Sequence, residues 1–185
     1  MNKVTLLGLL LVLCISTSIT ENHESASDHT LTLNLDYAAR QGRPLRTSQF
    51  AVLWNGKTVK AIAPSNYRVT HLSLKLQAKA GKNVISFVGL GPSDGYGATI
   101  TNVKLVRPYG CEDDNEDLIA NGNFHKGHNL GSGWKIFKDA IEGWQGKDIE
   151  IGFGPIYNRG WKRGTYVCEL DAAGNSNLHQ SIYFD

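Results

Sequence analysis

The chain has 185 residues, of which 41% are hydrophobic and 19% are charged, and its basic residues exceed its acidic residues by two. That length fits one ordinary domain or at most two small ones, and the hydrophobic fraction excludes wholesale disorder. So small a net charge gives no electrostatic footprint for nucleic acid, and the basic residues are scattered along the sequence. The 20 glycines, four tryptophans and many β-branched residues favour an all-β fold with many tight turns.

The N-terminus has the pattern of a secretory leader. A short positive start (residues 1–3) precedes an almost entirely apolar run (4–15) and a set of small residues suited to cleavage (16–20). The apolar run is shorter than the roughly 18–20 residues that a membrane span needs. We therefore predict a signal peptide over 1–20, a flexible polar arm over 21–28 and a secreted, extracellular protein. A membrane anchor formed by an uncleaved leader is the alternative.

The predicted elements after the arm are short strands separated by turns. Apolar and polar residues alternate along residues 31–37, and Asn55 and Gly56 form a strong hairpin signal after the next strand. Further alternating segments are residues 71–78, 84–88, 98–106, 147–153, 166–170 and 179–184. The acidic stretch 107–117 has the composition of a linker. Because no stretch shows a sustained helical period, the sequence predicts a β-sandwich of about eight to ten short strands.

Three cysteines are present, and Cys14 lies in the predicted leader. The remaining pair, Cys111 and Cys168, predicts one disulfide in an oxidising compartment. Its loop of about 58 residues would contribute roughly 4 kcal/mol through chain entropy. Two unpaired thiols are the alternative, and two cysteines without a CxxC pair do not indicate a zinc site.

Five segments carry a family resemblance. They are LTLNLDYAAR (31–40), FAVLWNG (50–56), SDGYGATITNV (93–103), LIANGNF (118–124) and the ELD, N and QSI elements within 169–182. Together they resemble the strands of secreted galactose-binding-like jelly-roll domains. The resemblance covers nearly all of the mature chain and implies a jelly-roll β-sandwich of the carbohydrate-binding, lectin-like kind, while it says little about the ligand.

The order of these segments is reversed relative to that family. The closing strands come first (29–106) and the opening strands second (118–185), joined by the acidic linker 107–117. Chain termini commonly lie close together, so such a rearrangement is tolerated. We therefore interpret residues 29–185 as one circularly permuted sandwich. The alternative is that the halves complete one another between molecules, because a linker of about 11 residues reaches at most roughly 36–40 Å.

No segment has a recognised catalytic motif. The acidic residues of 112–117 are best explained as a solvated linker, Asp148 and Glu150 as the polar face of a strand, and Asp36 as a structural carboxylate. Nucleophile-elbow, HExxH and P-loop patterns do not occur. We therefore expect a non-enzymatic protein, with an unrecognised hydrolase as the least favoured interpretation.

Metal binding is not favoured either. His125 and His128 are three residues apart in a predicted loop without a third ligand. The family resemblance implies calcium ligands at His125 and Thr101, where an imidazole and a hydroxyl replace the usual acids and remove most of the attraction for calcium. We therefore expect no metal and no cofactor, with a structural calcium ion as the less favoured alternative.

Aromatic and charged residues in loops favour sugar binding. Sugars present apolar faces and hydroxyl groups, which aromatic platforms with carboxylate and guanidinium partners recognise. The predicted ligand-binding residues are Trp161, Arg159, Tyr157, Trp144, Tyr96, Asp94 and Arg40. Trp161, flanked by Arg159 and Lys162, is predicted to be the most exposed aromatic. For Trp54, Trp134 and Trp144, the alternative is a position in the core of the sandwich. The predicted partner is a glycan or glycoprotein, and the alternative function is a structural or assembly subunit that contacts other proteins.

Overall fold

The computed structural model describes residues 29–107, 116–131 and 133–184. The predicted leader and arm, most of the predicted linker and Cys111 lie outside these residues. The strands are β1 (His29–Ala38), β2 (Phe50–Trp54), β3 (Lys57–Ile62), β4 (Thr70–Ala78), β5 (Gly81–Gly89), β6 (Thr99–Val106), β7 (Trp134–Phe137), β8 (Ala140–Ile141), β9 (Trp144–Gln145), β10 (Ile149–Phe153), β11 (Tyr166–Glu169) and β12 (Asn177–Phe184). A single helical turn, α1 (Gly154–Tyr157), and one 3₁₀ turn (Leu45–Ser48) complete the described elements. No helix within these ranges is long and apolar enough to cross a membrane.

Two antiparallel sheets of six strands form a β-sandwich, which confirms the predicted fold class. Sheet A has the order β4-β1-β6-β11-β10-β7, and sheet B has the order β3-β2-β5-β12-β9-β8. The strand count exceeds the predicted eight to ten because β7, β8 and β9 are only two to four residues long. Such short strands leave too few residues for an alternating pattern to be visible in sequence.

Each sheet joins three strands from the first half of the chain to three from the second. The halves meet at β6–β11 in sheet A, where Ile100 lies opposite Cys168. In sheet B they meet at β5–β12, which pair along eight residues. Neither half therefore contains a complete sheet, and both contribute to one core.

The main core lies between the sheets and draws on inward-facing residues of both halves. Leu31, Leu33 and Leu35 of β1 are fully buried, as are Ile149 and Ile151 of β10. These are the period-two positions that the sequence identifies as apolar. Burying such side chains supplies the main driving force for folding, since each contributes about 1.5–3 kcal/mol.

A second, smaller cluster covers the outer face of sheet A. Tyr157 of α1 and Trp161 of the following loop pack there against Ala38 of β1 and Val167 of β11. The segment 154–165 thus forms a partial third layer over this sheet. As a result, outward-facing residues of β10 and β11 are buried, although they would meet solvent in a simple two-layer sandwich.

The two ends of the described sandwich lie at the same end of the molecule. β1 and β12 are in opposite sheets, but His29 pairs with Ala78 and Phe184 pairs with Gly81. Paired Cα atoms are about 5.5 Å apart and three residues span at most about 11 Å, so His29 and Phe184 are within roughly 22 Å. A circular permutation requires such proximity, and the permutation itself stays a prediction.

Candidate functional site

One cavity brings together four of the seven predicted ligand-binding residues. Arg40, Asp94, Tyr96 and Tyr157 line a cavity of about 320 Å³ on the outer face of sheet A. The lining also includes Trp134, Glu150, Ile156 and Glu169, which were not predicted to belong to the site. We name it the Glu150–Glu169 cavity.

Strand register places the two glutamates side by side. Glu150 of β10 lies directly opposite Glu169 of β11, and Glu169 lies opposite Thr99 of β6. Ile136 of β7 pairs with Glu150 on the other side. Directly opposed residues point to the same face of a sheet, so these four side chains form one row across the outer face. The cavity therefore has its floor on the seam between the two halves of the chain.

The two carboxyl groups at the floor are buried and accept hydrogen bonds from the surrounding loops and strands. Glu169 is 1% exposed, and its Oε1 accepts a hydrogen bond from the Gly97 backbone N–H at 3.0 Å. Arg40 Nη1 donates to Glu169 Oε2 at 3.3 Å. The Tyr157 hydroxyl donates to Glu150 Oε1 at 2.9 Å. Every one of these contacts joins a different loop or strand to the floor.

Burial and neighbouring charges change the acidity of Glu169. Desolvation, together with the neighbouring Glu150, raises the pKa of Glu169 to about 9, although the positive charge of Arg40 opposes the shift. Strand register places the Glu150 side chain directly beside that of Glu169. With its raised pKa, the Glu169 carboxyl group keeps its proton near neutral pH. Burial likewise raises the pKa of Tyr157, which keeps its hydroxyl a donor.

Aromatic rings hold the guanidinium groups at the cavity. Arg40 Cζ lies 4.4 Å from the ring centroid of Tyr157 and 5.7 Å from that of Tyr96. Arg43 Cζ lies 3.5 Å from the Tyr96 centroid. Cation–π contacts of this kind orient the guanidinium planes and reduce the entropy that a ligand must remove on binding.

The rim of the cavity is apolar and open. Trp134 is 52% exposed and Ile156 is 46% exposed, and both line the cavity. The site thus offers an indole face above a polar floor of Arg40, Glu150 and Glu169. This combination can stack against an apolar surface of a ligand while exchanging hydrogen bonds with its polar groups.

The prediction that Trp161 is the most exposed aromatic is wrong. Trp161 is 6% exposed, and its indole Nε1 donates to Thr99 Oγ1 at 3.0 Å. It packs so closely on Gly154 that a Cβ there would stand 2.6 Å from the Trp161 Cβ. The basic neighbours Arg159 and Lys162 stay exposed while the indole alone turns inward. The charge of the flanking residues therefore does not indicate whether the Trp161 side chain is exposed.

Two other predicted site residues lie elsewhere. Trp144 is 1% exposed in the main core, between Phe87 and Phe124, and its Nε1 donates to the Asn121 carbonyl. Arg159 is exposed but lines a different depression, beside Gln41. The core alternative thus holds for Trp144, whereas it fails for the exposed Trp134.

The polar strand face expected from Asp148 and Glu150 is not formed, because Asp148 lies before β10. Asp148 has a left-handed φ of 50° just before β10 and forms an ion pair with Lys138 at 2.8 Å. The carboxylate beside Glu150 comes instead from β11. The sequence signal was present, since both glutamates occupy outward positions of alternating strands. Strand register, which links them, is not readable from one sequence.

The residues considered for metal and disulfide chemistry are only partly described. Thr101 and His125 line one polar depression with Asn102 and Asn123, and the Thr101 hydroxyl is buried without a hydrogen-bond partner. Among the described residues, no group of three His, Cys, Asp or Glu side chains is placed to hold a metal ion. Cys168 is completely buried and carries a free thiol in the described part of the chain. Because Cys111 lies outside that part, the disulfide stays a prediction.

Comparison with known proteins gives one partial similarity. No family model and no solved structure matches the chain. Over 78 residues, which are 42% of the chain, it is 35% identical to a multifunctional-autoprocessing repeats-in-toxin from Vibrio cholerae. That aligned stretch represents 2% of the toxin's length. The similarity is thus confined to a small part of a much larger protein.

Proposed function

We propose that this protein is a secreted, lectin-like domain that binds carbohydrate in the Glu150–Glu169 cavity. The observation that carries the proposal is the position of an exposed indole, Trp134, above the floor formed by Arg40 and the glutamate pair. The family resemblance to galactose-binding-like jelly rolls favours the same function. The partial similarity to a repeats-in-toxin protein is compatible with a role outside the cell that makes it.

The size of the cavity suits a single sugar residue. Its volume of about 320 Å³ lies at the lower end of the range of small-molecule sites. A pyranose ring that stacks on Trp134 would place its hydroxyl groups toward Arg40 and Glu150. Further residues of a longer glycan would extend past the open rim at Ile156.

The floor supplies both kinds of hydrogen-bonding group that a sugar hydroxyl needs. Arg40 uses Nη1 to hold Glu169, and its remaining N–H groups are available as donors because the side chain is 19% exposed. The carboxyl oxygens of Glu150 are acceptors, whereas both oxygens of Glu169 already accept from Gly97 and Arg40. A hydroxyl can accept from the guanidinium and donate to the Glu150 carboxyl group at once, which a purely apolar floor cannot offer.

The experiment is a glycan array probed with the wild-type protein and with Trp134→Ala. We expect the wild type to bind a subset of glycans. In the variant we expect a loss of about 1–3 kcal/mol in the free energy of binding, or roughly 5- to 150-fold in affinity. Arg159→Ala is the matched control, because Arg159 is exposed outside the cavity, and it is expected to bind as the wild type does. Failure of a folded wild-type sample to bind any glycan would contradict the proposal.

The alternative function, a structural or assembly subunit, has one observation in its favour. The exposed apolar pair Trp134 and Ile156 at the rim would also suit contact with another protein. In that case Trp134→Ala would change self-association or partner binding, measured by analytical ultracentrifugation, while the array would stay blank.

A further inference from the structure

Charge is distributed very unevenly between the two halves of the sandwich. Residues 29–107 contain 11 Lys and Arg and only two Asp and Glu, whereas the described residues of 116–184 contain seven and eight. The small net charge of the whole chain conceals this asymmetry. The basic residues are therefore spread along the chain, but acidic residues balance them only in its second half.

Three lysines of the first half meet at one end of the sandwich. The Asn55 side chain donates to Asn83 Oδ1 at 3.0 Å, and the Lys79 backbone N–H donates to the same oxygen at 3.1 Å. These bonds hold the β2–β3 turn against the β4–β5 connection. Lys57 follows the first turn, and Lys79 and Lys82 lie within or next to the second. We name Lys57, Lys79 and Lys82, all of them exposed, the lysine end.

The lysine end is open and uncompensated within the described part of the chain. None of its three ammonium groups has an ion-pair partner there. A Cβ added at Gly56 or Gly81, at the tips of the two turns, would meet nothing within 4 Å. Both turn tips therefore face free space.

An exposed aromatic side chain lies beside these charges. Lys82 of β5 pairs with Tyr183 of β12, which is 70% exposed. Asp117, which forms a bridge with Val106 at the end of β6, is directed into the backbone, where its Oδ1 accepts from the N–H groups of Leu105 and Ile119. Lys82 and the Tyr183 ring thus lie on the same face of sheet B at the lysine end.

We propose that the lysine end binds a sulfated polysaccharide. Ammonium groups are compact point charges that suit a dense row of sulfates, and a positive patch concentrates such a polyanion at the surface. The Tyr183 ring can stack on a pyranose face between sulfates. Single-stranded nucleic acid is less well matched, because its binding uses successive aromatic platforms and this surface has one.

This surface is separate from the Glu150–Glu169 cavity. The lysine end adjoins Ala78, which pairs with the first residue of β1, whereas Arg40 follows the last residue of that strand. Ten residues of strand place the two regions roughly 30 Å apart. The two binding activities can therefore be tested independently.

The test uses heparin as the probe. Affinity is measured at several salt concentrations for the wild type and for the triple variant Lys57→Gln, Lys79→Gln, Lys82→Gln. The matched control, Lys126→Gln, Lys162→Gln, Arg163→Gln, removes the same charge from exposed positions of the second half. The lysine-end variant is expected to bind at least about tenfold more weakly at 150 mM salt and to show a shallower salt dependence, while the control keeps wild-type behaviour.

Three outcomes would overturn the proposal. They are no binding of heparin by the wild type, equal losses in the two triple variants, and binding of duplex DNA as strong as that of heparin at 150 mM salt. Thermal melting of each variant establishes that it is folded. Trp134→Ala is expected to bind heparin as the wild type does, so failure of the cavity proposal would leave this one standing.

Discussion

The two faces of sheet A have opposite chemistry although the same strands build them. The inner face, with Ile149, Ile151 and Cys168, is entirely apolar and belongs to the main core. The outer face of β10 and β11 buries Glu150 and Glu169 beneath Tyr157. Buried charge is costly unless it is paired and hydrogen-bonded. A row of apolar side chains on the outer face would therefore stabilise the fold better than the two glutamates do. The inner face thus serves stability, whereas the outer face carries the buried polar groups to which we assign the proposed binding.

The largest expected effect comes from opening the inner core. Trp144→Ala removes an indole that packs between Phe87 and Phe124. We expect a loss of about 3–5 kcal/mol in the free energy of unfolding, measured by denaturant titration. A loss below about 1 kcal/mol would show that Trp144 is not a core residue.

Trp161→Ala tests the layer that covers the outer face. The substitution removes the packing on Gly154 and the hydrogen bond to Thr99 Oγ1. We therefore expect a loss of about 3 kcal/mol in the free energy of unfolding. Ligand affinity of the folded fraction should change little, since Trp161 does not line the cavity. An unfolding curve unchanged from that of the wild type would indicate that the Trp161 side chain is exposed.

The raised pKa of Glu169 makes stability depend on pH. Glu169 keeps its proton to about pH 9 when folded but has an ordinary pKa near 4.5 when unfolded. The folded state therefore binds more protons in this interval, and its stability is highest below pH 4.5 and declines as pH rises toward 9. We expect Glu169→Gln to flatten this decline, because the variant lacks the titrating group. A Glu169→Gln profile that falls as steeply as the wild-type profile would contradict the raised pKa of Glu169.

Tyr157→Phe isolates one hydrogen bond of the floor. The substitution leaves Glu150 Oε1 without its donor while the ring still packs against Val167. We therefore expect a loss of about 1 kcal/mol in the free energy of unfolding. The matched control is Tyr183→Phe, at an exposed position, which should leave stability within about 0.5 kcal/mol of the wild type.

The smallest effect is expected from restoring the family's strand order. A chain in which residue 185 is joined to His29 by about seven glycines, and which is opened within residues 112–116, should fold with nearly unchanged stability. The reason is that His29 and Phe184 lie within roughly 22 Å, a gap that such a linker spans. Failure to fold, with both linked and parent chains carrying Cys111→Ser and Cys168→Ser, would reject the circular permutation.

Strand alternation made the core predictable and left the site only half predictable. Leu31, Leu33 and Leu35 have a clear period of two, and the structure buries all three. Arg40 and Asp94 were found because they lie beside aromatic residues in loops. Glu150 and Glu169 were missed because only the pairing of β10 with β11 brings them together, and pairing depends on long-range contacts. Trp134 and Trp161 were interchanged, since local charge does not determine which side of a loop faces the protein.

Glycan-induced shifts of the four tryptophan indole N–H signals in NMR spectra test the binding site most directly. The Nε1–H groups of Trp54, Trp144 and Trp161 donate to Gln77 O, Asn121 O and Thr99 Oγ1, respectively, and all three rings are buried, whereas Trp134 is exposed at the cavity. Addition of a glycan that the array identifies is predicted to move the Trp134 signal and to leave those of Trp54 and Trp144 in place. An unmoved Trp134 signal at saturating glycan would contradict binding in the Glu150–Glu169 cavity.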